Sequence, residues 1–145
     1  MPIRARKDII CYKELAIWIN TFEDAINSIP FQIVTPYMIT NVAKNGIMKA
    51  GKKMQFYAVE DGLYSIANGA IHAYTSLDKA LFYNIKTSYS LITKCVIKKG
   101  TLYCKSYIGD CIAAERMEIV EITIPPTNPN AKKFVDNYFT NLKSI

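Results

Sequence analysis

The stretch Asn68–Tyr107, NGAIHAYTSLDKALFYNIKTSYSLITKCVIKKGTLYCKSY, decides how this chain is read. Asn68-Gly69 is a turn signal, because both residues tolerate positive φ. Ala70–Tyr74 then reads as a short strand. Thr75 follows as a helix N-cap with Asp78 three residues on. A hydroxyl and a carboxylate at that spacing satisfy the first free amides, and Asp78 also complements the helix dipole. Leu77, Ala80, Leu81 and Asn84 fall at i, i+3, i+4 and i+7, so the helix docks by a narrow apolar stripe. Ser90–Lys98 and Thr101–Tyr107 read as a hairpin about Lys98-Lys99-Gly100. A two-residue type I′ loop would force positive φ on Lys99, whereas a type I turn with Gly100 as a G1 bulge does not. The bulge shifts pairing by one residue. Cys95 and Cys104 are then expected on opposite faces, without a disulfide between them.

Working outward, Asp8–Ile17 (DIICYKELAI) is rich in Ile and Tyr and reads as a first strand. Asn20–Ser28 reads as a short helix or turn that ends before Pro30. Phe31–Val34 is a short β-prone run broken by Pro36. Asn45-Gly46 and Ala50-Gly51 are turn signals. Lys53–Glu60 reads as a strand whose Asp61-Gly62 turn leads into Leu63–Ala67. Beyond the opening stretch, Cys111 begins a turn, and Met117–Ile124 is a long strand stopped by Pro125-Pro126. Asn128 caps a final helix with Pro129 at its first position. Phe134, Val135, Tyr138, Phe139 and Leu142 give that helix an apolar face. The expected fold is α+β: a single domain over residues 1–145, with a largely antiparallel sheet of about six strands and two or three short helices. Ten tyrosines suit such a sheet, where rings pair across strands.

Composition bounds the function classes. Half of the 145 residues are hydrophobic and 21% are charged, which describes a globular chain with its own core. No apolar run reaches the roughly 18 residues that span a membrane. The N-terminus MPIRARKDII carries positive charge with no apolar segment behind it, so a secretory signal is not expected and the cytoplasm is. Net charge is +6. The cations are dispersed along the chain, from Arg4, Arg6 and Lys7 through Lys49 to Lys98, Lys99 and Lys132, and no run exceeds two lysines. Dispersal favours a solvated basic surface, with an anionic ligand or nucleic acid as the partner if the cations converge in space. Cys11, Cys95, Cys104 and Cys111 show no C-x-x-C spacing, and one histidine does not complete a zinc set, so no metal is expected.

No phosphate-binding glycine loop, H-E-x-x-H or G-x-S-x-G occurs. The place for chemistry is the strand-to-helix junction. His72, the only histidine, precedes the helix start, and Tyr74, Thr75 and Ser76 carry hydroxyls to the same spot. Free amides and the helix dipole there favour an anion. His72, Tyr74, Thr75 and Ser76 are therefore the expected ligand-binding residues of an accessory or binding module. Its expected partner is a protein or a small anionic ligand, with no cofactor.

Two resemblances add to this. CYKEL at 11–15, AIHAYTSLDKA at 70–80, KCVIKKGTLY at 94–103 and AAERMEIVEI at 113–122 resemble segments of small uncharacterised proteins of phages and gut-type bacteria. That resemblance implies phage or mobile-element origin, with the host cytoplasm or the virion as location. The order of elements, with AIHAYTS at 70–76 followed by Lys79, Ala80 and Tyr83, resembles the ADP-ribosyltransferase superfamily. It implies NAD as cofactor in a cleft between two small sheets. Lys13 falls on that family's first-strand position, where Arg or His is usual, and His72 lies in its second segment. No E-x-E or Q-x-E pair occurs, which leaves Glu115 as the candidate catalytic acid.

Overall fold

The computed structural model of the chain describes residues 3–19, 31–34, 42–51, 55–57, 66–83, 87–106, 109–139 and 142. The first half contributes β1 (Ile3–Arg4), β2 (Ile9–Ile19), β3 (Phe31–Val34), β4 (Ile47–Lys49), β5 (Gln55–Tyr57) and β6 (Ile66–Asn68). The second half contributes β7 (Ile71–Tyr74), α1 (Leu77–Tyr83), β8 (Ser90–Ile97), β9 (Leu102–Lys105), β10 (Cys111–Ala114), β11 (Arg116–Ile124) and α2 (Pro129–Tyr138). The segment expected as a helix or turn at 20–28 and the Asp61-Gly62 turn lie outside the described residues.

The fold is α+β and its sheet is antiparallel, as expected, but larger than about six strands. Eight strands run in the order β1-β9-β10-β7-β2-β8-β11-β4, and β3 joins the edge of β2 as a ninth. β5 and β6 form a separate pair. The strands missing from the sequence reading are short. β1 and β4 have two and three residues, and β10, Cys-Ile-Ala-Ala, is buried at three of four positions, so none carries a run of alternation long enough to read.

The hairpin expected between Ser90–Lys98 and Thr101–Tyr107 does not form. The turn is there: Thr101 N–H donates to the Lys98 carbonyl at 3.0 Å and Gly100 sits at φ +91. Its two arms then part. β8 pairs with β2 on one side and β11 on the other. With both edges of β8 occupied, β9 crosses to the far side of the sheet and pairs with β1 and β10. The hairpin in this region is β9–β10, closed by Ser106, whose hydroxyl donates to Asp110 and accepts from Cys111 N–H. Cys95 and Cys104 therefore lie on strands that do not pair, and all four cysteines are free.

Register sorts the side chains onto two faces. Cys11, Leu15 and Ile17 of β2 share one face with Leu91, Cys95 and Ile97 of β8, with Met117 and Ile119 of β11 and with Ile112 and Ala114 of β10. α2 covers this face through Ala131 and Val135, joined by Phe134 and Tyr138. Its start matches the sequence expectation: Asn128 accepts from the amides of Asn130 and Ala131, with Pro129 at the first position. α1 packs against β2 and β7, where Tyr83 stacks on Tyr74 with ring centroids 5.5 Å apart.

Candidate functional site

The junction after β7 is built by groups that bond to one another. α1 begins at Leu77, one residue later than a Thr75 cap would set it. Ser76 is the cap, its Oγ accepting from Lys79 N–H at 3.3 Å. The Thr75 hydroxyl instead donates to the Gly109 carbonyl at 2.8 Å, and its amide donates to the Asp110 carbonyl at 3.0 Å. Thr75 thus pins the β9–β10 turn to the end of β7. Tyr74 lies opposite Tyr12 and Cys111 and stacks on Tyr83. His72 is half-buried on the same face, opposite Ala113, with Nδ1 3.1 Å from the Ala70 carbonyl, a contact that places a proton on Nδ1.

Lys13 is buried on the other face, next to Cys11, Cys95 and Thr93. Its ammonium donates to the His72 main-chain carbonyl at 2.5 Å. The bond forms where the edge of β2 changes partner. β2 pairs with β7 only at Tyr12, and from Ala16 onward that edge pairs with β3. The lysine reaches into the interval and binds a carbonyl of β7. Burial pushes its ammonium below the usual lysine range, while the neighbouring Cys95, Cys11 and Glu14 pull the other way. Burial also pushes the Cys11 thiol well up and the Cys95 thiol to about 11. The Cys11 thiol lies 3.7 Å from Met117 Sδ, a sulfur contact of a packed core.

Glu115 lies elsewhere. It occupies the bend between β10 and β11, where Oε2 accepts from Leu102 N–H at 2.6 Å and from Arg4 at 3.4 Å. It lines a cleft of about 390 Å³ together with Lys49, Ala50, Gly51, Gly100, Thr101 and Arg116. Neither Lys13 nor His72 lines that cleft. The three residues assigned by the ADP-ribosyltransferase resemblance are thus divided: Lys13 meets the backbone of His72, and Glu115 faces a different space, toward the β1 and β9 edge.

The cleft opens at one end of the sheet, and the cations dispersed in sequence gather there. Gly100 N–H donates to the Ala5 carbonyl and Ala5 N–H to the Thr101 carbonyl, which ties the Arg4–Lys7 segment to the turn carrying Lys98 and Lys99. β11 starts at this end with Arg116, directly opposite Lys49 at the end of β4. Arg4, Arg6, Lys7, Lys49, Lys98 and Lys99 are exposed and Arg116 is half-buried. Against these stand two carboxylates: Glu115, and Asp8, which accepts from Lys99 N–H and pairs with Lys98 at 3.9 Å. Lys49 and Arg116 have no ion-pair partner among the described residues. The sequence contained every one of these cations, but their convergence depends on β9 crossing the sheet, which the local pattern around Gly100 does not reveal.

Among the described residues no group of three or more His, Cys, Asp or Glu is placed to hold a metal, and no helix is long and apolar enough to cross a membrane. Comparison of the chain with protein-family models, with curated proteins and with solved structures finds no match.

Proposed function

We propose that the protein is a binding module for a phosphate-bearing partner, engaged at the basic end of its sheet. The observation that carries this reading is the gathering of seven cations from four separate parts of the chain at one end of the sheet, two of them lining its cleft, with two carboxylates among them. Like charges held close raise the free energy of the folded state, and an anionic partner offsets that cost. The strand-to-helix junction expected from the sequence gives less support, since Thr75 and Ser76 spend their oxygens on Gly109 and Lys79. The large exposed apolar side chains among the described residues are Ile3, Phe82, Tyr83 and Ile124. None of them lines the cleft, which favours contact with phosphate over stacking on bases.

Fluorescence anisotropy with a labelled single-stranded oligonucleotide as polyanion probe tests the reading. With about four phosphates engaged, affinity for a single strand is expected to fall about fiftyfold between roughly 50 and 200 mM salt. Replacing Lys98 and Lys99 together by Glu is expected to weaken binding by at least tenfold at the lower salt. Absence of binding at low salt, or binding indifferent to the double replacement, counts against the basic end.

A further inference from the structure

We propose that the cleft between Lys49 and Arg116 is a subsite for a single phosphomonoester carried on a sugar-type hydroxylated group. This rests on the basic-end reading and names the chemistry of its innermost part. The first observation is the cation pair itself. Lys49 and Arg116 are direct cross-strand partners, so their Cβ atoms stand about 5 Å apart. Like charges directly opposite destabilise an antiparallel pair, and neither has a carboxylate partner among the described residues. The flanking positions show that the register is set by something else: Met117 and Met48, the adjacent pair, are buried on the opposite face. The sheet therefore holds two cations together at the mouth of a cavity, where a dianion can bridge them.

The rest of the cleft supplies hydrogen bonds of both kinds. The Thr101 hydroxyl has no partner among the described residues and is available to donate. The Glu115 carboxylate is anchored through Oε2 by Leu102 N–H and Arg4, which fixes its place and compensates its charge. Its Oε1 has no partner among the described residues and accepts from a hydroxyl. A phosphate between the cations and a hydroxyl on Glu115 together describe a phosphorylated sugar. Size agrees: about 390 Å³ lies near the small end of ligand pockets, roughly 300–1,000 Å³, enough for a phosphate with one sugar and short of a dinucleotide. That chemistry has two sources, a free sugar phosphate or the terminal phosphate of a nucleic acid.

The test uses the full chain and three probes: ribose 5-phosphate, and one oligonucleotide with either a 5′-phosphate or a 5′-hydroxyl. Ribose 5-phosphate is expected to move the amide resonances of residues 49–51, 100–101 and 115–116 and to raise the melting temperature. The variant carrying Lys49→Gln and Arg116→Gln is expected to lose that affinity at least tenfold. Because it removes a repulsion, its own melting temperature is expected to be no lower than that of the parent, which separates lost binding from lost folding. The Lys98→Glu, Lys99→Glu variant is expected to weaken the oligonucleotide by a larger factor than ribose 5-phosphate, which the Lys49→Gln, Arg116→Gln variant reverses. If the 5′-phosphorylated strand binds about tenfold tighter than its hydroxyl twin, and only in the parent, the subsite takes a nucleic-acid end. If the two strands bind alike while ribose 5-phosphate still binds, the subsite takes a free sugar phosphate. Resonance changes confined to residues 4–7 and 98–99 would overturn the subsite and leave the basic end standing. No change with ribose 5-phosphate on the order of 10 mM would overturn it as well.

Discussion

Lys13 is the residue whose environment departs furthest from its chemistry. Its ammonium is buried, and its bond among the described residues is to a neutral carbonyl, that of His72. Burial lowers its affinity for a proton, so the folded chain holds fewer protons than the unfolded chain between the lowered value and the ordinary one near about 10.4. Stability from this group therefore rises with pH across that window: the penalty is present at neutral pH and vanishes as the proton leaves. The Cys11 and Cys95 thiols act oppositely, because burial raises them and the folded chain loses stability as pH climbs past about 9. Lys13 holds both thiols down, so removing it deepens their loss. Lys13→Met is expected to be at least as stable as the parent at pH 7, since an apolar group of similar length removes a desolvated charge at the expense of one hydrogen bond of about 1 kcal/mol. Between pH 7 and 10 the balance is expected to move toward the parent, read from denaturant unfolding at each pH. A constant difference across that range would mean that Lys13 keeps its proton in the fold as firmly as in the unfolded chain, and that burial does not lower it.

At the scale of elements, the turn before β4 controls how the edge of the sheet meets α2. Gly46 has φ +75, and its carbonyl accepts from Ile119 N–H at 2.9 Å. A Cβ there would stand 2.8 Å from Leu142 Cδ2 and 3.1 Å from the Cβ of buried Ile119. Gly46→Ala is expected to cost about 1–3 kcal/mol in chemical denaturation, through strain and crowding together. Gly51→Ala, where a Cβ meets nothing within 4 Å, is expected to stay within about 0.5 kcal/mol of the parent. Equal losses at the two sites would show that neither the positive φ nor the contact with Ile119 at Gly46 sets the cost. Elements with local signals were legible in the sequence: Asn128-Pro129 marks the start of α2, Asn45-Gly46 marks its turn, and Ile-rich alternation marks β2. The cap of α1 was misplaced by one residue because Thr75 and Ser76 are equally good caps. The choice falls to Ser76 because the Thr75 hydroxyl is taken by Gly109, 34 residues away. The β8–β9 hairpin was misread for a related reason. Lys98-Lys99-Gly100 specifies a turn but not whether its arms stay together, and competition from β2 and β11 for the edges of β8 decides that.

The same crossing organises the whole molecule. It brings Arg4–Lys7 beside Lys98 and Lys99 and sets both near Arg116, so the candidate site was written in the sequence as residues but not as a place. It also puts β2 and β8 in the middle of the sheet, flanked on both sides, while β1 and β4 are left as two- and three-residue edges. Local openings begin at edges and loops, and the strands buried between partners open only with the whole structure. Cys11 and Cys95 sit on those central strands with no exposed surface, whereas Cys111 is half-exposed at the start of β10. A thiol reagent such as Ellman's reagent is therefore expected to label Cys111 in the native state, slowly at pH 7 because burial and Asp110 push its thiol up to about 11. Cys11 and Cys95 are expected to react only through global unfolding. Their labelling rates in the limit of fast closing should fall together and rise with denaturant along the slope of the equilibrium transition. Labelling of Cys11 with a shallow slope, typical of fraying, would show that β2 separates from β8 on its own. The seam between two halves of the sheet would then lie between β2 and β8, with the Lys13 bond holding β2 to β7 on the other side.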